Sequence, residues 1–135
     1  MIFLQDSSFN ASPVSWSSKK AKRVCRSSLT AETLAAVEAI DGAFVVKEMM
    51  EDILHKKLPP IMLYVDSKSL YDTVKTSNVI ADKRLLIDMA AIREMSDNKE
   101  IIVNWVRTEN QLADVLTKRG VNSLKLLRVF STGHL

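Results

Sequence analysis

The spacing of apolar residues along the chain predicts a front β-hairpin followed by a long helix. Residues 1–5 are bulky and β-prone, residues 6–10 have turn composition, and residues 14–17 alternate apolar and polar side chains. From residue 28 to about 55, apolar positions recur three or four residues apart, as on one buried helical face. The serines at 27–28 offer the N-terminal cap of this helix.

The second half of the chain alternates strands with helices. The predicted elements are a strand at 61–65, helices at 67–75 and 81–95, a strand at 101–106, and helices at 111–118 and 122–130. The run at 61–65 is continuously apolar, which favours a strand covered on both faces. Strand–helix–strand order predicts a parallel pair with a right-handed crossover. With the front hairpin, this indicates an α/β protein with one mixed sheet, a single domain over residues 1–130, and a frayed tail at 131–135.

Composition excludes several kinds of site. The chain has 135 residues with 47% hydrophobic and 26% charged side chains, the balance of a globular protein. Its 3 glycines exclude a glycine-rich phosphate loop, and its single cysteine excludes a disulfide framework or a cysteine-based zinc site. With only 2 histidines, any metal would be a hard ion held by carboxylates.

Targeting signals are not visible in the sequence. The apolar residues 1–4 have no basic region ahead of them, and the longest apolar stretch, 58–65, contains two prolines. A membrane helix needs about 20 apolar residues. We therefore expect no membrane partner and an intracellular, cytoplasmic or nuclear, rather than secreted protein.

Basic residues cluster after the hairpin. The net charge is only +3, but five cations lie close together: Lys19, Lys20, Lys22, Arg23 and Arg26. The segment is either a solvated strand end or a surface that binds nucleic-acid phosphates with release of counterions. Both interpretations remain open from the sequence.

Three of the 16 acidic residues stand at informative positions. Glu32 lies in or near the first turn of the long helix, and Asp114 lies between apolar residues of a later helix. Asp66 follows the buried strand, at the end where open α/β sheets carry functional groups. The alternative for Asp66 is the N-cap of the next helix.

Four motifs in order carry a family resemblance. They are SWSSKK at 15–20, RSSLTAE at 26–32, LYVDSKSL at 63–70 and QLADVLTK at 111–118. Together they resemble the ribonuclease H domain at the C-terminal end of copia-type retrotransposon polyproteins, over residues 1–127. The resemblance implies a five-stranded mixed sheet with helices on both faces, and an upstream reverse transcriptase region in the parent polyprotein.

The resemblance also implies a function. Members of this family cut the RNA strand of RNA–DNA hybrids with two Mg²⁺ or Mn²⁺ ions held by four carboxylates. Glu32, Asp66 and Asp114 match three of these catalytic metal ligands. The basic residues at 19–26 would then track the nucleic-acid backbone.

One part of the family pattern has no match here. The family's first strand, which is central in the sheet and carries the first catalytic aspartate, is absent, and residues 1–5 resemble the second strand. Asp6 lies in a turn and is a poor replacement. We therefore expect a marginally stable fold, with little or no catalysis, unless another segment supplies this strand. The hairpin either pairs directly with strand 61–65 or stays separate from it. The alternative function is a non-catalytic remnant or domesticated module that binds nucleic acid or protein.

Overall fold

Two compact units make up the fold. The computed structural model describes residues 1–21, 24–76, 83–118, 120 and 123–134. Unit 1 combines Met1–Lys20 with Thr108–Leu135, and unit 2 is the continuous segment Ala21–Arg107. The single domain predicted for residues 1–130 stays a prediction.

The described residues form a mixed α/β structure with short strands. The strands are β1 (Ile2–Gln5), β2 (Ala11–Ser15), β3 (Ile61–Val65) and β4 (Ile101–Trp105), and the α-helices are α1 (Ser28–Leu54), α2 (Lys68–Lys75), α3 (Lys83–Asp97) and α4 (Leu124–Thr132). The front hairpin and the order of strands and helices through β4 are confirmed.

Unit 2 is built on the parallel pair β3–β4. The predicted parallel pairing is confirmed, with Ile61 opposite Ile101 and Val65 opposite Trp105. One face of the pair packs against α1, α2 and α3. The buried core consists of Ala36, Ile40, Val65, Leu70, Val74, Met89, Ile92, Ile101 and Val103. Three helices thus share one core with a two-stranded sheet, because such a sheet cannot bury its own apolar residues.

The other face of this sheet remains exposed. Met62 and Tyr64 of β3 are 46% and 47% exposed, and Ile102 of β4 is 40% exposed. The prediction that strand 61–65 is covered on both faces was wrong. The arrangement with helices on both faces of the sheet, which the family resemblance implies, stays a prediction. A continuous apolar run does not by itself distinguish a strand covered on one face from a strand covered on both.

The ends of α1 follow its sequence closely. The Ser27 hydroxyl accepts a hydrogen bond from the backbone N–H of Thr30 at 3.1 Å, so Ser27 is the N-cap. The helix ends at His55, which takes a left-handed conformation with φ of 48°. Both ends confirm the predicted helix.

In unit 1, a carboxylate organises the turn between β1 and β2. Asp6 Oδ1 accepts hydrogen bonds from the backbone N–H groups of Ser8 at 2.8 Å and Asn10 at 2.9 Å. Asn10 Nδ2 donates to Asp6 Oδ2 at 3.1 Å. These bonds, the Asn10 side chain first, lower the pKa of Asp6. Asp6 therefore serves the hairpin, in line with its rejection as a metal ligand.

The C-terminal part of unit 1 departs from prediction in two places. Residues 111–118 do not form an α-helix, since a 3-10 helix, Leu112–Leu116, occupies this stretch; a shorter one, Thr108–Asn110, precedes it. The last helix continues through Thr132, and Gly133 ends it in a left-handed conformation with φ of 73°. The Gly133 carbonyl then accepts a bond from Ala11 N, so residues 131–134 are held against β2 rather than frayed.

The strands form two sheets instead of one. The antiparallel hairpin β1–β2 lies in unit 1, and the parallel pair β3–β4 lies in unit 2. Across the described ranges, no strand pairing joins β3 to the hairpin. Of the two arrangements left open by the sequence, the hairpin takes the separate one, and the predicted single mixed sheet is not formed.

Substitution of one isoleucine in α3 tests the core of unit 2. Ile92 is fully buried, whereas Ile87 of the same helix is 72% exposed. We expect Ile92→Val to lower the free energy of unfolding by about 0.5–1.5 kcal/mol, because a buried methyl group is lost. The matched variant Ile87→Val should stay within about 0.5 kcal/mol of the parent. Denaturant unfolding measures both, and equal losses would contradict this packing.

Acidification tests the hairpin turn. The pKa of Asp6 is lower in the folded chain than the ordinary value of about 3.9, so its stabilising bonds are fully present above that value. They are lost as the pH falls through the folded pKa. We expect the amide signals of Ser8 and Asn10 to titrate with Asp6 in NMR spectra, and Asn10→Ala to raise this pKa. Amide chemical shifts of Ser8 and Asn10 that do not change as Asp6 titrates would contradict the hydrogen bonds of this turn.

Candidate functional site

The three predicted carboxylates are divided between the two units. Glu32 and Asp66 lie in unit 2, and Asp114 lies in unit 1. Glu32 is the fifth residue of α1, directly after the first turn, which agrees with the predicted position in or near that turn. It is half-buried beside Thr33, which is fully buried on the core face of the helix.

Asp66 sits at a rigid junction directly after β3. The backbone N–H of Val106 donates to the Val65 carbonyl at 2.9 Å. The indole Nε1–H of Trp105 donates to the Asp66 carbonyl at 3.2 Å. These two bonds tie the end of β3 to the end of β4 and fix the backbone from which the Asp66 carboxylate projects.

The Asp66 carboxylate itself makes no hydrogen bond or ion pair with the described residues of unit 2. The N-cap of α2 is Ser67, whose hydroxyl accepts from Leu70 N at 3.3 Å, so the alternative interpretation of Asp66 as the cap was wrong. The residue is half-buried, and no described group of unit 2 donates a hydrogen bond to its carboxylate. A carboxylate held in place and left unsatisfied can bind a hard cation.

Asp114 is engaged by a lysine. It lies in the 3-10 turn Leu112–Leu116, and its side chain is only 14% exposed. Lys118 Nζ approaches Asp114 Oδ2 at 2.6 Å, four residues further along the chain. A cation that binds Asp114 through Oδ2 competes with the Lys118 ammonium for that oxygen.

The donor set suits magnesium in type. Carboxylate oxygens are the ligands that Mg²⁺ and Mn²⁺ take in proteins. Asp66 fits this role by type, and so does Asp114, whose Oδ2 is shared with Lys118. Within either unit, the described residues include no group of three His, Cys, Asp or Glu side chains that could hold a metal ion. The site shared by Glu32, Asp66 and Asp114 stays a prediction.

The basic segment is exposed where the structure describes it. Lys19 and Lys20 are exposed at the end of the first stretch of unit 1, and Arg26 is exposed just before the N-cap of α1. Lys22 and Arg23 lie outside the described residues. Exposure is what both interpretations of this segment require.

Sequence reasoning missed the aromatic and basic residues around Asp66. Lys68 Nζ lies 5.2 Å from the ring centroid of Tyr71 and 6.0 Å from that of Trp105. Lys75 Nζ lies 6.0 Å from the Tyr71 ring centroid. The available signal was positional: Trp105 ends one strand of the predicted parallel pair and Lys68 follows the other.

Comparison with known proteins finds similarity to Pol polyproteins of plant transposons. Over 112 residues, 82% of this chain, it is 34% identical to the retrovirus-related Pol polyprotein from transposon TNT 1-94 of Nicotiana tabacum. Its homologues are plant-transposon Pol polyproteins. Another is the retrovirus-related Pol polyprotein from transposon RE1 of Arabidopsis thaliana, 31% identical over 109 residues, 78% of this chain.

The matched region is a small part of these polyproteins. The chain spans 8% of the TNT 1-94 polyprotein and 7% of the RE1 polyprotein. No protein-family model matches the chain. No solved structure matches it either. In the described part of the chain, none of the helices has the length and apolar character needed to cross a membrane.

A double-mutant cycle tests the contact between Asp114 and Lys118. We expect Asp114→Asn and Lys118→Met each to lower the free energy of unfolding by up to about 1 kcal/mol, since a partly exposed pair is worth little. The double variant should lose less than the sum of the two, because both changes remove the same contact. Denaturant unfolding measures all three variants, and strict additivity would contradict the pairing.

Proposed function

We propose that the chain is a ribonuclease H-like domain of retrotransposon origin, whose ancestral reaction is the hydrolysis of RNA in RNA–DNA hybrids. The observation that carries the proposal is the position of Asp66. Its carboxylate follows a core strand at the C-terminal edge of a parallel pair, where α/β proteins carry their functional groups, and it has no structural partner in its unit. The homology to Pol polyproteins supports the same origin.

Glu32, Asp66 and Asp114 would hold the metal ions in this reaction. Two bound Mg²⁺ or Mn²⁺ ions supply an activated water and stabilise the charge on the leaving oxygen. The chain would contribute orientation and charge: the Trp105 indole is hydrogen-bonded to the backbone carbonyl of Asp66, and the Lys118 ammonium is paired with Asp114. An A-like hybrid is recognised by shape and 2′-hydroxyl groups rather than by base sequence.

We expect hydrolysis by these 135 residues alone to be weak or absent. Three carboxylates match the family pattern where four hold the metal ions in the intact family site. Fewer ligands leave more of the positive charge uncompensated, so at least one metal position is weakened. Asp6, the acidic residue nearest to the missing position in sequence, is committed to its own turn.

The second candidate is a non-catalytic module that binds nucleic acid or protein. It is favoured by the exposed basic segment, in which Lys19, Lys20 and Arg26 face solvent. Such a module needs no metal, and its binding to nucleic acid weakens steeply with salt.

Hydrolysis of an end-labelled RNA–DNA hybrid separates the two candidates. The chain and a version extended by the preceding segment of a Pol homologue are compared with Mg²⁺ and with Mn²⁺. For the enzyme, we expect the extended chain to cut, Asp66→Asn to reduce cutting to background, and the exposed control Asp52→Asn on α1 to leave it unchanged. If neither version cuts but both bind the hybrid at low salt, the reaction is refuted and the binding module is supported.

A further inference from the structure

Four side chains of unit 2 alternate aromatic rings with ammonium groups. In order they are Trp105, Lys68, Tyr71 and Lys75, and we call them the aromatic–lysine ladder. Lys68 Nζ lies 6.0 Å from the Trp105 centroid and 5.2 Å from the Tyr71 centroid, and Lys75 Nζ lies 6.0 Å from the Tyr71 centroid. All three distances are within the range of cation–π contacts.

Both aromatic rings of this ladder are held by contacts within unit 2. Tyr71 packs against the hydrophobic core of unit 2. Trp105 is anchored through its indole N–H, which donates to the Asp66 carbonyl at 3.2 Å. Trp105 nevertheless remains 43% exposed, so part of this hydrogen-bonded side chain is open to solvent. A rigid, exposed ring needs little further ordering to stack on a flat ligand.

The charges of the ladder are available to an anion. Lys68 pairs with Asp72 at 2.8 Å, but both side chains are exposed, at 63% and 50%, and such pairs are weak. An ammonium group has three donors, so this pair leaves Lys68 with further hydrogen-bonding capacity. Lys75 is exposed and makes no ion pair with a described carboxylate.

From this geometry we infer that the aromatic–lysine ladder binds single-stranded nucleic acid, with a base stacked on Trp105 and phosphates on Lys68 and Lys75. Unpaired bases stack on exposed aromatic rings while cations follow the backbone, and the combination tolerates any sequence. An acidic peptide would satisfy the lysines but would give the exposed Trp105 ring no flat partner. The inference rests on the proposed function for its class of ligand, but it requires no hydrolysis.

The ladder starts at the candidate catalytic residue. Trp105 contacts the backbone of Asp66 directly, and Lys68 lies two residues after it. A strand bound along the ladder therefore passes next to the Asp66 carboxylate. For a substrate with a hybrid region, the ladder would hold the single-stranded flank.

The two tryptophans of the chain allow a site-specific test. In the Trp16→Phe variant, Trp105 is the remaining tryptophan, and an oligothymidylate of about 12 nucleotides is added in EDTA at low salt. We expect quenching of Trp105 fluorescence in parallel with the rise in anisotropy of the labelled oligonucleotide. An anisotropy rise without quenching would overturn the inference, because binding would then be elsewhere.

Matched charge variants test the lysines. We expect Lys68→Gln with Lys75→Gln to weaken binding and to reduce the slope of log affinity against log salt by about 1.4, since each phosphate contact to a single strand contributes about 0.7. The control combines Lys56→Gln with Lys99→Gln, two exposed residues that precede β3 and β4 and thus lie at the opposite end of the sheet. Equal effects of the two double variants would overturn the inference.

Ring variants test the stacking. We expect Trp105→Ala to weaken binding roughly 5- to 150-fold, the loss of one base stack. Trp105→Phe keeps an aromatic ring but lacks the indole N–H, so its affinity for the oligonucleotide should stay within a few-fold of the parent. Such binding would also show that a variant at this position still folds. Loss of oligonucleotide binding in both Trp105→Ala and Trp105→Phe would refute base stacking on Trp105. Binding of polyglutamate to the parent as tightly as the oligonucleotide would refute it too. Loss of hydrolysis with intact quenching would refute the proposed reaction and leave the ladder standing.

Discussion

The parallel pairing of β3 with β4 is the interaction on which unit 2 depends. A pair of parallel strands is not stable in water alone, and it requires a long connection between its strands. Here α2 and α3 form that connection, and with α1 they cover the apolar face of the pair. Because the strands run in the same direction, their C-terminal ends meet at one edge. The in-register pairing then brings Trp105 opposite Val65, next to Asp66.

Much of this architecture could be predicted where the signal is local. The helix α1 combines a cap at Ser27 with a sustained three-and-four spacing, and both ends agree with the structure. Two predictions failed because they depend on tertiary context. An apolar run does not reveal that Met62 and Tyr64 face solvent, and the helical pattern at 111–118 does not exclude 3-10 geometry at Leu112–Leu116. Tertiary packing decides both the burial of a strand face and the choice between α and 3-10 geometry in a short segment.

In the candidate site, too, local features could be predicted from the sequence and long-range contacts could not. Asp66 could be found from sequence because the end of an apolar strand is a recognisable position. The Trp105 bond to its carbonyl joins residues 39 positions apart, so it follows from strand register rather than from any motif. The pair of Asp114 and Lys118 is local, and its four-residue spacing is visible in the QLADVLTK motif. The sequence alone does not predict which group each carboxylate contacts.

The arrangement of the units along the chain has a consequence for synthesis. Unit 2 is continuous, so its core can form while the chain is still emerging from the ribosome, since domains fold as units during synthesis. Unit 1 takes its hairpin from the beginning and α4 from the far end. The Asp6 turn can close early, but Ala11 must wait for Gly133 to be translated before its N–H is satisfied. The strands β1 and β2 therefore precede unit 2 in the chain but receive a hydrogen-bond partner from a residue that follows unit 2.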